Sequence, residues 1–255
     1  MRWAIVIVLA AAAALPVLAQ EPGGPVLAPV PKACETPGTQ VISASPLPNV
    51  AIALKDRKQI NILAIGSTSA SLRGPVSGGL YAVVERFLES NFKGLDVNIV
   101  YRGVSGELAA DAAERIKNEV ALTGADLVLW QLGTADALAQ VPVADFYATV
   151  SETVRWLKNH NVDVILIGLR YARSMVRDAH YQAIRRAIAD LAREQGVLTI
   201  GRYEAEEVLD KLSREQHDAL NEAAVTESSY VCMAEYLARA IASGLFLKET
   251  STTPK

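Results

Sequence analysis

Short apolar runs and amphipathic stretches alternate along most of this chain. Residues 61–65 (NILAI), 97–101, 126–131 (DLVLWQ), 163–169 (DVILIGL) and 197–200 are continuous apolar runs of strand length. Between and around them, apolar positions recur at helical spacing over residues 51–58, 80–91, 107–122, 143–160, 176–195, 204–214 and 228–243. In 80–91, for example, Val83, Val84, Phe87 and Leu88 share one face. Strands that are apolar on both faces and alternate with helices predict a parallel sheet covered on each side. The expected architecture is a three-layer α/β/α sandwich with about five parallel strands, flavodoxin-like in type. In such sheets ligands bind at the carboxyl ends of the strands, so the loops of interest begin at Gly66, Arg102, Leu132, Leu169 and Gly201.

The ends of the chain break this pattern. Arg2 is followed by an almost wholly apolar run from Ala4 to Leu18, and Val17-Leu18-Ala19 offers small residues for cleavage, so residues 1–19 read as a signal peptide. Pro16 and the shortness of the run argue against a membrane anchor, which needs ~20 apolar residues. Most of the eleven prolines fall between Glu21 and Pro48, so residues 20–50 read as an extended segment. One domain is then expected over 51–247, with a polar tail over 248–255. The expected location is the periplasm or the exterior.

Composition narrows the field a little. With 255 residues, 51% hydrophobic and a net charge of -3, the chain suits one globular domain and makes no electrostatic case for nucleic acid. No His/Cys/Asp cluster has metal-ligand spacing, and nothing calls for a cofactor. Cys34 and Cys232 lie near the two ends of the mature chain. In an oxidising compartment they either bridge or stand as two separate thiols, one of them buried in a helix.

Three loops carry the candidate chemistry. The segments are ILAIGSTSA (62–70), YRGVSGE (101–107) and WQLGTAD (130–136). Gly103 and Gly106 permit a tight turn, and Glu107 is placed to open a helix, where its charge suits the macrodipole. Taken in order, these segments resemble the SGNH (GDSL-type) ester hydrolases, notably exported bacterial members. Gly201-Arg202-Tyr203 and Ser229-Tyr230-Val231-Cys232-Met233-Ala234 extend the resemblance over residues 59–245. It implies the same fold, an acyl or glycan ester as ligand, and a Cys34–Cys232 bridge.

The resemblance also implies four family positions. Thr68 stands at that of the serine nucleophile, and its extra methyl crowds attack. Gly106 matches the glycine of the oxyanion hole. Ala135 stands where the family has an asparagine donor, with Asp136, whose charge would repel an oxyanion, beside it. Ala224 stands near the position of the base histidine, and Asn221 near that of its aspartate. A serine needs an adjacent base, and one lost oxyanion donor costs ~10²–10³ in rate. The expectation is therefore a non-catalytic or impaired member that retains a ligand pocket or a protein partner. The alternative is an active esterase using Thr68, Ser67 or Ser69, with His180 or His217 as a relocated base. A purely structural envelope role is the third reading. The histidines read first as solvated surface residues, and His160 falls at the wrong sheet edge. Arg170, Tyr171, Arg173 and Arg177 add positive charge after the fourth strand, either as a solvated loop or as recognition of an anionic or sugar-like ligand.

Overall fold

The computed structural model describes residues 27–67, 79–215 and 222–247, with the side chains of Ser67 and of 222–230 outside that description. The signal-peptide reading and the polar tail fall outside the described residues. Five strands, β1 (Gln59–Ser67), β2 (Asp96–Val104), β3 (Leu127–Gln131), β4 (Asp163–Ile167) and β5 (Leu198–Ile200), form one sheet in the order β2-β1-β3-β4-β5. All four pairings are parallel. The three-layer fold expected from the alternation is the fold observed.

The two faces of the sheet follow from the two-residue period of a strand. Leu63, Ile65, Val128, Trp130, Val164 and Leu166 point into one core. That core is closed by α3 (Ala109–Thr123), α5 (Val143–Asn159) and α6 (Ala179–Gln195). Ile60, Ile62, Leu127, Leu129, Ile165 and Ile167 point into the other. There α2 (Gly79–Asn91) packs on α8 (Glu222–Gly244). The remaining helices are α1 (Pro48–Arg57), the short α4 (Thr134–Leu138) and α7 (Arg202–Glu215). Among the described residues no helix is long and apolar enough to cross a membrane.

The proline-rich segment lies along the domain. Ile42 bridges Ile200 in antiparallel fashion. Ser43 N–H donates to Thr199 O at 3.1 Å, and Gly201 N–H donates to Val41 O at 2.7 Å. The strap thereby covers the outer edge of β5, whose backbone groups would otherwise be unpaired. Cys34 and Cys232 form a disulfide across 198 residues of sequence, fastening the strap to α8. The Tyr236 hydroxyl donates to Cys34 O beside the bridge. Burial pushes that phenol up to about 12, so it remains a donor.

At the amino edge of the sheet, Asp163 is buried and caps α1. Its Oδ2 accepts Asn49 N–H and Val50 N–H, each at 2.9 Å, and its Oδ1 accepts Asn49 Nδ2 at 2.9 Å. Burial pushes its carboxyl up to about 6, with the Val50 and Asn49 donors acting the other way.

Candidate functional site

The loops singled out in the sequence meet at the carboxyl edge of the sheet. Gly66 and Ser67 close β1, in register with Gly103 and Val104 of β2, and Gly66 also pairs with Gln131 of β3. Gly66 has φ +108°, and a Cβ there would lie 2.1 Å from Gln131 O. Only glycine lets the two strands approach this closely. Thr68, Ser69 and His217 lie outside the described residues. Ala224 falls within the first turn of α8. Gly106 has φ +73° in the turn after β2, and a Cβ there would meet nothing within 4 Å. Backbone conformation, rather than crowding, requires glycine at this point.

Two features of the second and third loops differ from expectation. Glu107 does not open the helix, which begins at Ala109. The cap comes instead from the next loop, where Asp136 Oδ1 accepts Ala109 N–H at 2.8 Å. Glu107 is buried and pairs with Arg115. The stretch after β3 is not a plain loop but α4, with Ala135 in its first turn. Asp136 Oδ2 accepts Gly133 N–H at 3.1 Å, closing a box at the start of that helix. Asp136 is 1% exposed, so it is a clasp between two loops rather than a solvent-facing charge. Burial raises its carboxyl above the ordinary range, while the Ala109 and Gly133 N–H groups pull the other way.

The fourth loop is clamped to the third. Arg170 N–H donates to Thr134 Oγ1 at 3.0 Å, and the Tyr181 hydroxyl donates to Arg170 O at 2.6 Å. The arginines after β4 are not one uniform solvated patch. Arg173 is paired with Asp210, and Arg177 is exposed. Arg170 turns toward α7, where the buried Arg202 donates from Nε to Glu206 Oε1 at 2.8 Å. Tyr171 N–H donates to Glu206 Oε2 at 2.8 Å. A chamber of about 20 Å³, enough for roughly one water, is lined by Tyr81, Gln131, Ile167, Arg202, Met233 and Leu237. A larger cavity of about 570 Å³ lies between the strap, β5 and α6 and reaches the starts of the fourth and fifth loops at Leu169 and Gly201.

The histidines separate clearly. His160 ends α5 at the opposite sheet edge, exposed and stacked on Trp156 with ring centroids 4.0 Å apart. His180, in the first turn of α6, is not a plain surface residue. It is half-buried, and its Nε2 is buried with no hydrogen-bond partner among the described residues. Thr134, Arg202 and Glu206 were not picked out as site residues from the sequence. For Thr134 and Arg202 the signal was a polar or charged residue just past a buried strand, and for Glu206 it was the four-residue spacing from Arg202.

The profile of the non-GDSL lipase-like family matches residues 33–246. The chain belongs to that family. Its fold is that of the SGNH/GDSL-type ester hydrolases. A lipase/acylhydrolase from Enterococcus faecalis aligns with a TM-score of 0.58 and 20% identity, over 72% of this chain and 96% of its own. A variant of an acetylxylan esterase from Geobacillus stearothermophilus aligns at 0.56 and 19%, over 71% and 93%. The acetyl xylan esterase AlAXEase aligns at 0.57 and 16%, over 71% and 100%. At these identities the likeness establishes the fold. No curated protein matches the chain.

Proposed function

We propose that this protein is an exported SGNH-fold member that binds a small acyl or glycan ester and has lost most of the family's turnover. The observation that carries this reading is the composition of the third loop. A methyl group, Ala135, stands in the first turn of α4, where the resemblance calls for an amide donor. The neighbouring carboxylate is consumed by Ala109 N–H and Gly133 N–H. Position 135 therefore offers no carboxamide to an oxyanion, and losing one such donor costs ~10²–10³ in rate. Threonine at 68 and alanine at 224 remove the family's serine and histidine as well. The apolar leader from Ala4 to Leu18 supports export, and the Cys34–Cys232 bridge suits an oxidising compartment. The acetylxylan esterase and acylhydrolase neighbours suggest the ligand class.

One observation favours a second reading, that of an active esterase. His180 lies at the same sheet edge as the candidate loops and keeps an unpartnered Nε2 among the described residues. A hydroxyl of Ser67, Thr68 or Ser69 would then be the nucleophile. Hydrolysis of p-nitrophenyl acetate and butyrate by the mature chain decides between the two, measured beside Thr68→Ala and His180→Ala. Turnover at the level of buffer, from folded protein, is expected. Turnover abolished by either substitution would overturn the non-catalytic reading.

A further inference from the structure

Two guanidinium groups converge on one carboxylate at the ends of β4 and β5. Arg202, 3% exposed, hydrogen-bonds Glu206 Oε1 through Nε at 2.8 Å. Arg170 approaches the same oxygen only at 4.0 Å, beyond hydrogen-bond distance. Its Nε is buried without a hydrogen-bond partner among the described residues, while the side chain as a whole is 38% exposed. Arg202 already takes the short contact on Glu206 Oε1, which leaves the Arg170 Nε–H without that acceptor. A half-buried cation in that position costs desolvation energy that an incoming anion offsets.

Its backbone is meanwhile held on both sides. The N–H is fixed to Thr134, the residue before Ala135, and the carbonyl is fixed by Tyr181. A binding side chain whose main chain is locked to the candidate site pays little ordering entropy on binding. Of the other arginines in this loop, Arg173 is occupied by Asp210 at the surface, and Arg177 is exposed on the turn before α6.

We propose that Arg170, backed by the buried Arg202–Glu206 pair, recognises a compact anionic group on the ligand, so that the ester bound here is one of an acidic sugar. This rests on the reading of the site as an acyl- or glycan-ester pocket, and it names the ligand's charge. The planar guanidinium matches a carboxylate in two-pronged fashion, which a neutral sugar cannot use.

The test is calorimetric titration of the mature chain with O-acetyl galacturonate and with O-acetyl galactose, which differ at the carboxylate. The acidic sugar is expected to bind about tenfold more tightly, with that advantage shrinking between about 0.02 and 0.2 M salt. Arg170→Gln removes the difference between the two sugars. Arg170→Lys keeps part of the difference, and Arg177→Gln keeps all of it. Circular dichroism of each variant checks that the fold is intact. Equal affinity for the two sugars would overturn the inference and leave the pocket standing. A preference for the acid that survives Arg170→Gln would overturn the assignment to Arg170. Binding of neither sugar would overturn the pocket reading itself, and this inference with it.

Discussion

Asp136 Oδ1 accepts the backbone N–H of Ala109 at 2.8 Å, so a residue of the third loop caps the helix that follows the second. The other oxygen caps its own helix through Gly133 at 3.1 Å. One buried side chain thus sets the spacing between the Gly106 turn and Ala135. Asp136→Ala leaves two buried N–H groups without acceptors, each worth ~1–3 kcal/mol. We expect a loss of about 3 kcal/mol in urea unfolding, with Asp136→Asn retaining part of it through its one carbonyl oxygen. A loss below about 0.5 kcal/mol, the scale of a surface substitution, would show that the clasp is not a stability element.

Gly66 makes the companion prediction on the neighbouring strand. Its φ of +108° and the 2.1 Å approach of a Cβ to Gln131 O leave no room for any side chain. Because the obstacle is backbone in the middle of the sheet, it cannot move aside. Gly66→Ala is expected to cost more than about 3 kcal/mol, read as a lowered melting temperature or as failure to accumulate folded protein.

How much of this was legible in the sequence depends on the range of the interaction. The strands could be read because β3 and β4 are buried along their whole length and so appear as unbroken apolar runs. The glycine at 106 was legible because φ is a local property. The role of Asp136 was not, since its partner lies 27 residues away and a carboxylate beside an expected oxyanion site reads as repulsive. Glu107 was misread for the same reason: a charge ahead of a helical pattern looks like a cap until another residue is found in that place. Arg202 and Glu206 are four apart on α7 and could have been read as an ordinary helical surface pair. Only the packing of α7 shows that both are buried.

The Cys34–Cys232 bridge fastens the strap that covers β5, and it closes a very long loop. Constraining the unfolded chain over such a loop is worth about 5 kcal/mol. Replacing both cysteines with alanine should lower stability by about that amount. It should also expose the Ser43 and Gly201 amides to faster hydrogen exchange, because their hydrogen bonds join the strap to the β5 segment. Unchanged exchange there would mean that the strap holds without the bridge.

Asp163 makes stability depend on pH in an unusual direction. Its folded carboxyl sits at about 6, above the ordinary 3.8, chiefly because it is buried. The folded state therefore holds this proton more tightly than the unfolded chain does. The stabilisation is fully present below about pH 3.8 and is lost as pH rises through 6. Two units correspond to about 3 kcal/mol. Asp163→Asn keeps the shape without the titration. Relative to that variant, the wild-type chain should lose about 2.4 kcal/mol between pH 4 and 7 in urea unfolding. A constant difference across the range would refute it.

The family positions at 68, 135 and 224 should together account for lost turnover. A hydroxyl nucleophile needs a base, and the intermediate needs an oxyanion donor. These parts act as a unit, so restoring one alone should do nothing measurable. Ala135→Asn adds a carboxamide in the first turn of α4, and Ala135 is only half-buried, so the larger side chain has an outlet. Thr68→Ser with Ala224→His supplies the other two parts at the positions the resemblance assigns. We expect no p-nitrophenyl acetate hydrolysis from any single variant. The triple variant should show turnover about 10²-fold or more above the same chain lacking Ala135→Asn. If Asn adds nothing in the presence of the other two, the α4 turn does not face the reacting carbon, and the family alignment of the third loop is wrong.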